Sequence, residues 1–329
     1  MTKLVKILAI DGGGIRGIIP ALILADIERR TKRPIAKLFD LIAGTSTGGI
    51  IALGLTKPGT GNKPQYTAQE IANLYESDGS TIFSRSIWHR LYAAGSFLEE
   101  KYPSSGIESV LDKYFGEARL KDALTNVLVS SYELEKRFPF FFKSSRAKQR
   151  ADYDFPMKKV ARATSAAPTY FEPLKLEAQE SPGYYALIDG GVYANNPAMC
   201  GYVEAVSTQS EPCEFLVVSL STGELTRPIP YDDAKDWGLA MWAQPILNVV
   251  FDGVSDTVDY QLQQLLPSGQ GDRKRYYRFE IALEIGNDNM DDASQTNLFA
   301  LKALAKRVIS QHDDDLTQLC EQLTAADTA

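Results

Sequence analysis

An α/β fold with a mostly parallel central sheet flanked by helices is predicted by three observations. Short apolar, β-branched runs recur along the chain, helical patterns lie between most of them, and the first two runs each end in a glycine turn that opens a helix. Of the 329 residues, 44% are hydrophobic and 23% charged, which is ordinary globular composition with material for a large core.

Residues 4–10 are an apolar run suited to a strand buried on both faces. Residues 11–17 break it. Residues 18–30 then carry apolar side chains at helical spacing, with Pro20 in the first turn and Arg29 and Arg30 in the last, where cations suit the helix dipole. Residues 39–43 read as a second buried strand and 47–55 as the next helix. After a loop at 57–64, Thr67 and Glu70 form a capping-box pattern that starts a helix through residue 76. Further strands are expected at 126–132, 139–143, 184–188, 215–220 and 276–282, and helical stretches at 235–265 and from residue 293 onward. The length prior alone gives about two domains at roughly 150 residues each. No repeat or composition break marks a linker, so residues 1–329 are expected to form one domain. Its chemistry-bearing motifs lie within 7–200, and the helices of 235–329 pack on the same core.

Composition narrows the chemistry. A formal net charge of −7 argues against binding a nucleic acid polymer. Cys200, Cys213 and Cys320 are odd in number and unclustered, which indicates neither a disulfide framework nor a thiolate metal site. With 2 histidines a zinc enzyme is disfavoured, and neither metal nor cofactor is expected. The apolar run 18–25 is interrupted by Pro20 and falls far short of the roughly 18 residues that span a bilayer. The run 7–10 closes at Asp11, too short for a secretory leader, so a cytoplasmic protein is expected.

The first glycine turn, Gly12, Gly13, Gly14 and Gly17 with Arg16 among them, contains G-x-G-x-x-G between strand and helix. A dinucleotide site needs an acid at the end of the second strand. Asp40 lies inside that predicted strand, and the strand ends in another tight turn, which leaves little room for an adenosine half. That second turn, Gly44-Thr45-Ser46-Thr47-Gly48, has the G-x-S-x-G spacing of a nucleophile elbow, in which small flanking residues let strand and helix pass closely. Read without chemistry, it is a glycine turn packing a helix on a sheet. Read with chemistry, Ser46 is a nucleophile and the N–H groups of Gly13 and Gly14 are donors to an oxyanion.

A serine needs a base. His89 is far from any predicted strand end. His312 precedes Asp313, Asp314 and Asp315 and stays a candidate because the order Ser, Asp, His matches α/β-hydrolases. Asp189 is the better placed group: it ends an apolar strand and is followed by Gly190 and Gly191, although a turn aspartate satisfying local N–H groups has the same local pattern.

Four blocks together, Asp11 to Gly17, Gly44 to Gly48, Ala161-Arg162-Ala163-Thr164-Ser165-Ala166-Ala167-Pro168 and Asp189-Gly190-Gly191, resemble the patatin-like phospholipase family in content and order. The resemblance implies a lipid acyl hydrolase with a Ser46–Asp189 dyad, an oxyanion hole at the first glycine turn and no metal. It implies a phospholipid or other acyl-lipid substrate and transient peripheral contact with the membrane during catalysis. Arg16 becomes the natural contact for a lipid phosphate, with a helix-start ion pair as the plain alternative. Some bacterial members are effectors switched on by cyclic dinucleotides, so such an activator is a possible partner. A non-catalytic lipid-binding or storage protein on the same fold is the alternative function. Ser221-Thr222-Gly223 departs from the Gly-Thr-Gly often found there.

Two stretches invite a lipid interface. Phe83, Ile87, Trp88, Leu91 and Tyr92 recur at helical spacing, as a lid helix or as an ordinary core helix. Residues 136–150 carry Lys136, Arg137, Lys143, Arg146, Lys148 and Arg150 and no acid, a solvated basic loop or a contact for anionic headgroups. Oligomeric state, headgroup and acyl position are open at the level of sequence.

Overall fold

The computed structural model describes residues 3–82, 103–178, 183–224, 228–242, 245–267, 273–284 and 289–325. The lid candidate at 83–92, with His89, lies outside them.

The strands are β1 (Lys3–Ile10), β2 (Leu41–Thr45), β3 (Asn126–Glu133), β4 (Phe138–Lys143), β5 (Leu174–Glu177), β6 (Tyr184–Asp189), β7 (Cys213–Leu220) and β8 (Tyr276–Phe279). They form one 8-stranded sheet in the order β5-β6-β3-β2-β1-β7-β8, with β4 on β3. The pairs β1–β2, β1–β7, β2–β3 and β7–β8 are parallel, whereas β3–β4, β3–β6 and β5–β6 are antiparallel. The α/β, mostly parallel expectation therefore holds, with an antiparallel flank.

Alternation along β1 shows how the layers form. Leu8 and Ile10 enter one apolar cluster and Val5, Ile7 and Ala9 another, because successive side chains of a strand point to opposite faces. The first cluster joins α1 (Ile18–Thr31), α2 (Thr47–Thr56), α3 (Ala68–Ile82), α4 (Ser104–Phe115) and α5 (Met157–Thr164). The second joins α6 (Ala198–Thr208) and α7 (Pro245–Leu265). Both faces of the sheet are thus covered, as a parallel sheet requires. The C-terminal helices α8 (Gln295–Gln311) and α9 (Asp313–Thr324) bury Leu298, Leu301, Leu304, Leu316 and Leu319 in the first cluster.

Local signals end several helices where the sequence places them. The Thr67 N–H donates to Glu70 Oε2 at 2.8 Å and the Glu70 N–H to Thr67 Oγ1 at 3.2 Å, a closed capping box. The helix it opens runs on to Ile82, past the expected end at 76. Lys32, at φ 55, turns the chain out of α1.

Other expectations need correction. The stretch 235–265 is not one helix: after a separate short helix at Tyr231–Ala234 it divides into Leu239–Trp242 and α7, with Gly238 just before the first and Pro245 opening the second, where a missing N–H is harmless. Asp40 precedes β2 instead of lying within a strand, and its carboxylate accepts the Lys6 N–H at 2.8 Å. β8 stops at Phe279, beyond which only an isolated bridge of Ala282 to Glu224 continues the pairing. β5 has four alternating residues, too short for a sequence signal. The basic stretch is not an open loop. It forms β4 and the helix Ser144–Gln149, and three of its cations are engaged within the chain: Lys143 with Glu204, Arg150 with Asp152, and Arg146 stacked 3.4 Å from the Tyr153 ring centroid. Among the described residues no helix is long and apolar enough to cross a membrane.

Candidate active site

β3 collects the ends of two strands. On its edge away from β4, Ser130 pairs with Thr45, the last residue of β2, and Ser131 pairs with Asp189, the last residue of β6. β2 runs parallel to β3 and β6 antiparallel, so the two strands arrive head to head. Ser46, one residue past Thr45, is therefore delivered beside Asp189. The Ser46 hydroxyl faces the Asp189 carboxylate closely enough to lower its pKa, as does the Gly191 N–H that its Oδ1 accepts at 2.7 Å. Asp189 is 2% exposed, and burial pushes its pKa up to about 7 against the lowering effect of those two groups.

Ser46 sits at φ 55, ψ −123, a conformation costing on the order of 1–3 kcal/mol for a side chain with a Cβ. Three features hold it. Its N–H donates to Thr164 Oγ1 at 2.8 Å, and the Thr164 hydroxyl donates to the Ser130 carbonyl at 2.6 Å. Its carbonyl accepts the Ile50 N–H at 3.1 Å and starts α2. Gly44 and Gly48 have no Cβ where one would strike the Gly48 and Ile10 carbonyls, so β2, α2 and β1 pass at backbone distance. Thr164 lies inside the third motif block, but nothing in the sequence announced this contact across 118 positions.

The first glycine turn lies across the same opening. The Gly12 N–H donates to the Asn195 carbonyl at 3.1 Å, and a Cβ on Gly12 would stand 2.5 Å from Asn195 Oδ1 and 3.2 Å from the Ser46 Cβ. Gly14 adopts φ 59, and a Cβ there would strike the Met290 carbonyl. Neither the Gly13 nor the Gly14 N–H has a hydrogen-bond partner among the described residues. Gly17 lets the turn pack on Thr47 and Tyr75, whose hydroxyls are hydrogen-bonded to each other.

Gly13, Gly14, Ser46 and Asp189 all line one cleft. Away from these four its wall is mainly apolar, with Ile50, Leu74, Ile82, Leu111, Phe115 and Phe171 among its members. A polar reacting corner at the head of an apolar cleft suits an ester carbonyl attached to a hydrocarbon chain.

Two candidates are placed elsewhere. Arg16 is 6% exposed, donates from Nε to the Gly13 carbonyl at 3.3 Å, and lines a second, polar cleft on the other side of the turn instead of the apolar one. It is buried, not on the surface as the plain alternative has it. His312 caps α8, with Nδ1 3.7 Å from Asp315 Oδ2 and its ring edge-on to Phe279. It lines neither cleft, which removes it from a triad with Ser46. Thr222, in the departing Ser221-Thr222-Gly223 stretch, donates to the Gly12 carbonyl at 2.6 Å and so braces the glycine turn. Asp11, at the head of that turn, forms a buried 2.7 Å ion pair with Arg278, a residue the sequence did not single out. Among the described residues no group of His, Cys, Asp and Glu is disposed to hold a metal ion.

The patatin-like phospholipase family profile matches residues 8–199. Patatin-like protein 4 of Arabidopsis thaliana is 32% identical over 93% of this chain and 84% of its own length. Patatin-like protein 2 of Oryza sativa subsp. indica is 30% identical over 94% and 85%. A protein named probable inactive patatin-3-Kuras 1, of Solanum tuberosum, is also 30% identical, over 94% and 87%. The solved structure of VipD from Legionella pneumophila matches with a TM-score of 0.38 and 14% identity, covering 98% of this chain and 67% of that one. With the family profile matching residues 8–199 and relatives about 30% identical over nearly the whole length, the chain belongs to the patatin-like phospholipase family.

Proposed function

We propose that the protein hydrolyses carboxylic esters of membrane lipids through a Ser46–Asp189 dyad and an acyl-enzyme intermediate. The observation that carries this reading is the register that sets Ser46 beside the buried Asp189 carboxylate at the head of an apolar cleft. Ser46 Oγ attacks the ester carbonyl as its proton passes to Asp189, and the carbonyl oxygen, now an oxyanion, takes the N–H groups of Gly13 and Gly14. Collapse expels the alcohol, which recovers the proton from Asp189. Asp189 then takes a proton from water, the hydroxide so formed attacks the acyl-serine, and the acid leaves as Ser46 is reprotonated. A carboxylate raised to about 7 is better matched to this work than an ordinary one. The protein meets its substrate from outside the bilayer, by peripheral contact at the lipid surface.

A fluorophosphonate probe tests the reading. Labelling at Ser46, with release of fatty acid from phospholipid that Ser46→Ala abolishes, supports the hydrolase. Absence of both leaves a lipid-binding or storage protein, a reading kept in view by the relative named as probably inactive. The same assay, run with and without cyclic dinucleotides, tests gating by that class of activator; equal rates remove it.

A further inference from the structure

The glycine turn has a cleft on each side. Beyond the apolar one, a second, smaller cleft opens at the carboxyl ends of β1, β7 and β8, under α7. Asn195 and Phe251 line both, so the two are neighbours. Their chemistry is opposite. The second cleft is lined by five carboxylates, Asp11, Glu224, Asp252, Asp256 and Glu280. Against them stand two guanidiniums, Arg16 and Arg278.

This cleft is more than an acidic surface. Asp11 is 2% exposed, and although its Oδ2 pairs with Arg278, its Oδ1 is buried in the cleft wall with no hydrogen-bond partner among the described residues. A buried carboxylate oxygen left unpaired costs about 1–3 kcal/mol, so the site is built to receive a donor. The excess of negative charge is also felt by its members: burial pushes Asp252 up to about 6, Arg16 opposes this, and Asp256, Glu224 and Glu280 add to it. Burial likewise raises Asp11 to about 6 even beside Arg278. A cation entering the cleft relieves this mutual repulsion.

An ester bound at Ser46 has an acyl side and an alcohol side. The apolar cleft suits the first. We propose that the polar cleft receives the second, and that it selects lipid headgroups bearing an ammonium, held by Asp252 and Asp256, over anionic headgroups. This rests on the acyl-hydrolase reading of Ser46 and Asp189. Arg16, on the Gly13 side of the cleft, faces the phosphate of such a zwitterion, so the arrangement places cation against anion at both ends.

The test compares kcat/KM for dihexanoyl phosphatidylethanolamine and dihexanoyl phosphatidylglycerol, both monomeric, so that no lipid surface contributes charge. The wild type is expected to favour the ethanolamine lipid on the order of tenfold, the worth of one charge-assisted hydrogen bond. In the double variant Asp252→Asn/Asp256→Asn the ratio is expected to fall toward one. A ratio is independent of the fraction of folded enzyme, so a poorly folding variant still gives an answer. Asp232→Asn/Asp233→Asn makes the same change of net charge at exposed side chains outside the cleft and should leave the ratio at its wild-type value. A wild-type ratio near one, a ratio that survives the Asp252/Asp256 change, or a ratio moved equally by both pairs overturns the headgroup site alone. Failure of the wild type to hydrolyse either lipid overturns the acyl-hydrolase reading and the headgroup site with it.

Discussion

Thr45 and Asp189 stand opposite consecutive residues of one strand, Ser130 and Ser131 of β3, and come to it from opposite directions. This register puts the Ser46 hydroxyl against a carboxylate with no imidazole between them among the described residues. A serine hydroxyl and an ordinary carboxylate are poorly matched in pKa. The mismatch is reduced here because Asp189 closes the strand inside the protein, where desolvation raises it to about 7.

That value sets the pH dependence of activity. As a base Asp189 works only when ionised, so kcat/KM for a soluble ester such as p-nitrophenyl butyrate should rise with pH, tenfold per unit well below 7, and level off above it. A rate constant from pH 5 to 8 would remove Asp189 as the base.

The same shift acts on stability with the opposite sign. The folded pKa of about 7 lies above the ordinary 3.8, so the folded protein holds a proton that the unfolded chain has lost. Stability from this group is present below the unfolded value and declines as pH rises through about 7. Asp189→Asn removes the buried charge. Its thermal midpoint should exceed that of the wild type at pH 8 by roughly 2–5 °C, with the gap narrowing at pH 5. Equal midpoints at both pH values would contradict a carboxylate desolvated in the folded state.

Thr164 accepts the Ser46 N–H and donates to the Ser130 carbonyl, tying the strained turn to β3. Thr164→Val keeps the shape and leaves both backbone groups unmatched, at a cost of about 1–3 kcal/mol. The expected kinetic signature is a fall in kcat on the order of tenfold with KM near the wild-type value, restored largely by Thr164→Ser. A loss that serine does not restore would mark Thr164 as a packing residue only.

His312→Ala should keep esterase activity, since its ring is held by Phe279 and Asp315 away from both clefts. A loss of more than tenfold without a change in folding, read by circular dichroism, would return an imidazole to the mechanism.

Much of the fold and the identity of the candidate dyad are legible in the amino-acid order because they rest on local rules. The runs that became β1, β3, β6 and β7 show themselves by β-branched apolar residues, the start of α3 by Thr67 and Glu70, and the nucleophile turn by glycines that only a close backbone approach requires. The scarcity of histidine, 2 in 329 residues, disfavours a triad and points to Asp189. The tertiary structure decided what depends on register and burial. Pairing of Ser130 and Ser131 with the ends of two strands from distant parts of the chain sets Ser46 against Asp189, and no local pattern encodes a register between strands so far apart. The Thr164 brace, the division of the 235–265 stretch, and the inward turn of Arg16 to a second cleft are likewise settled by packing. So is the raised pKa of Asp189, because desolvation is a property of the closed protein and not of the residue.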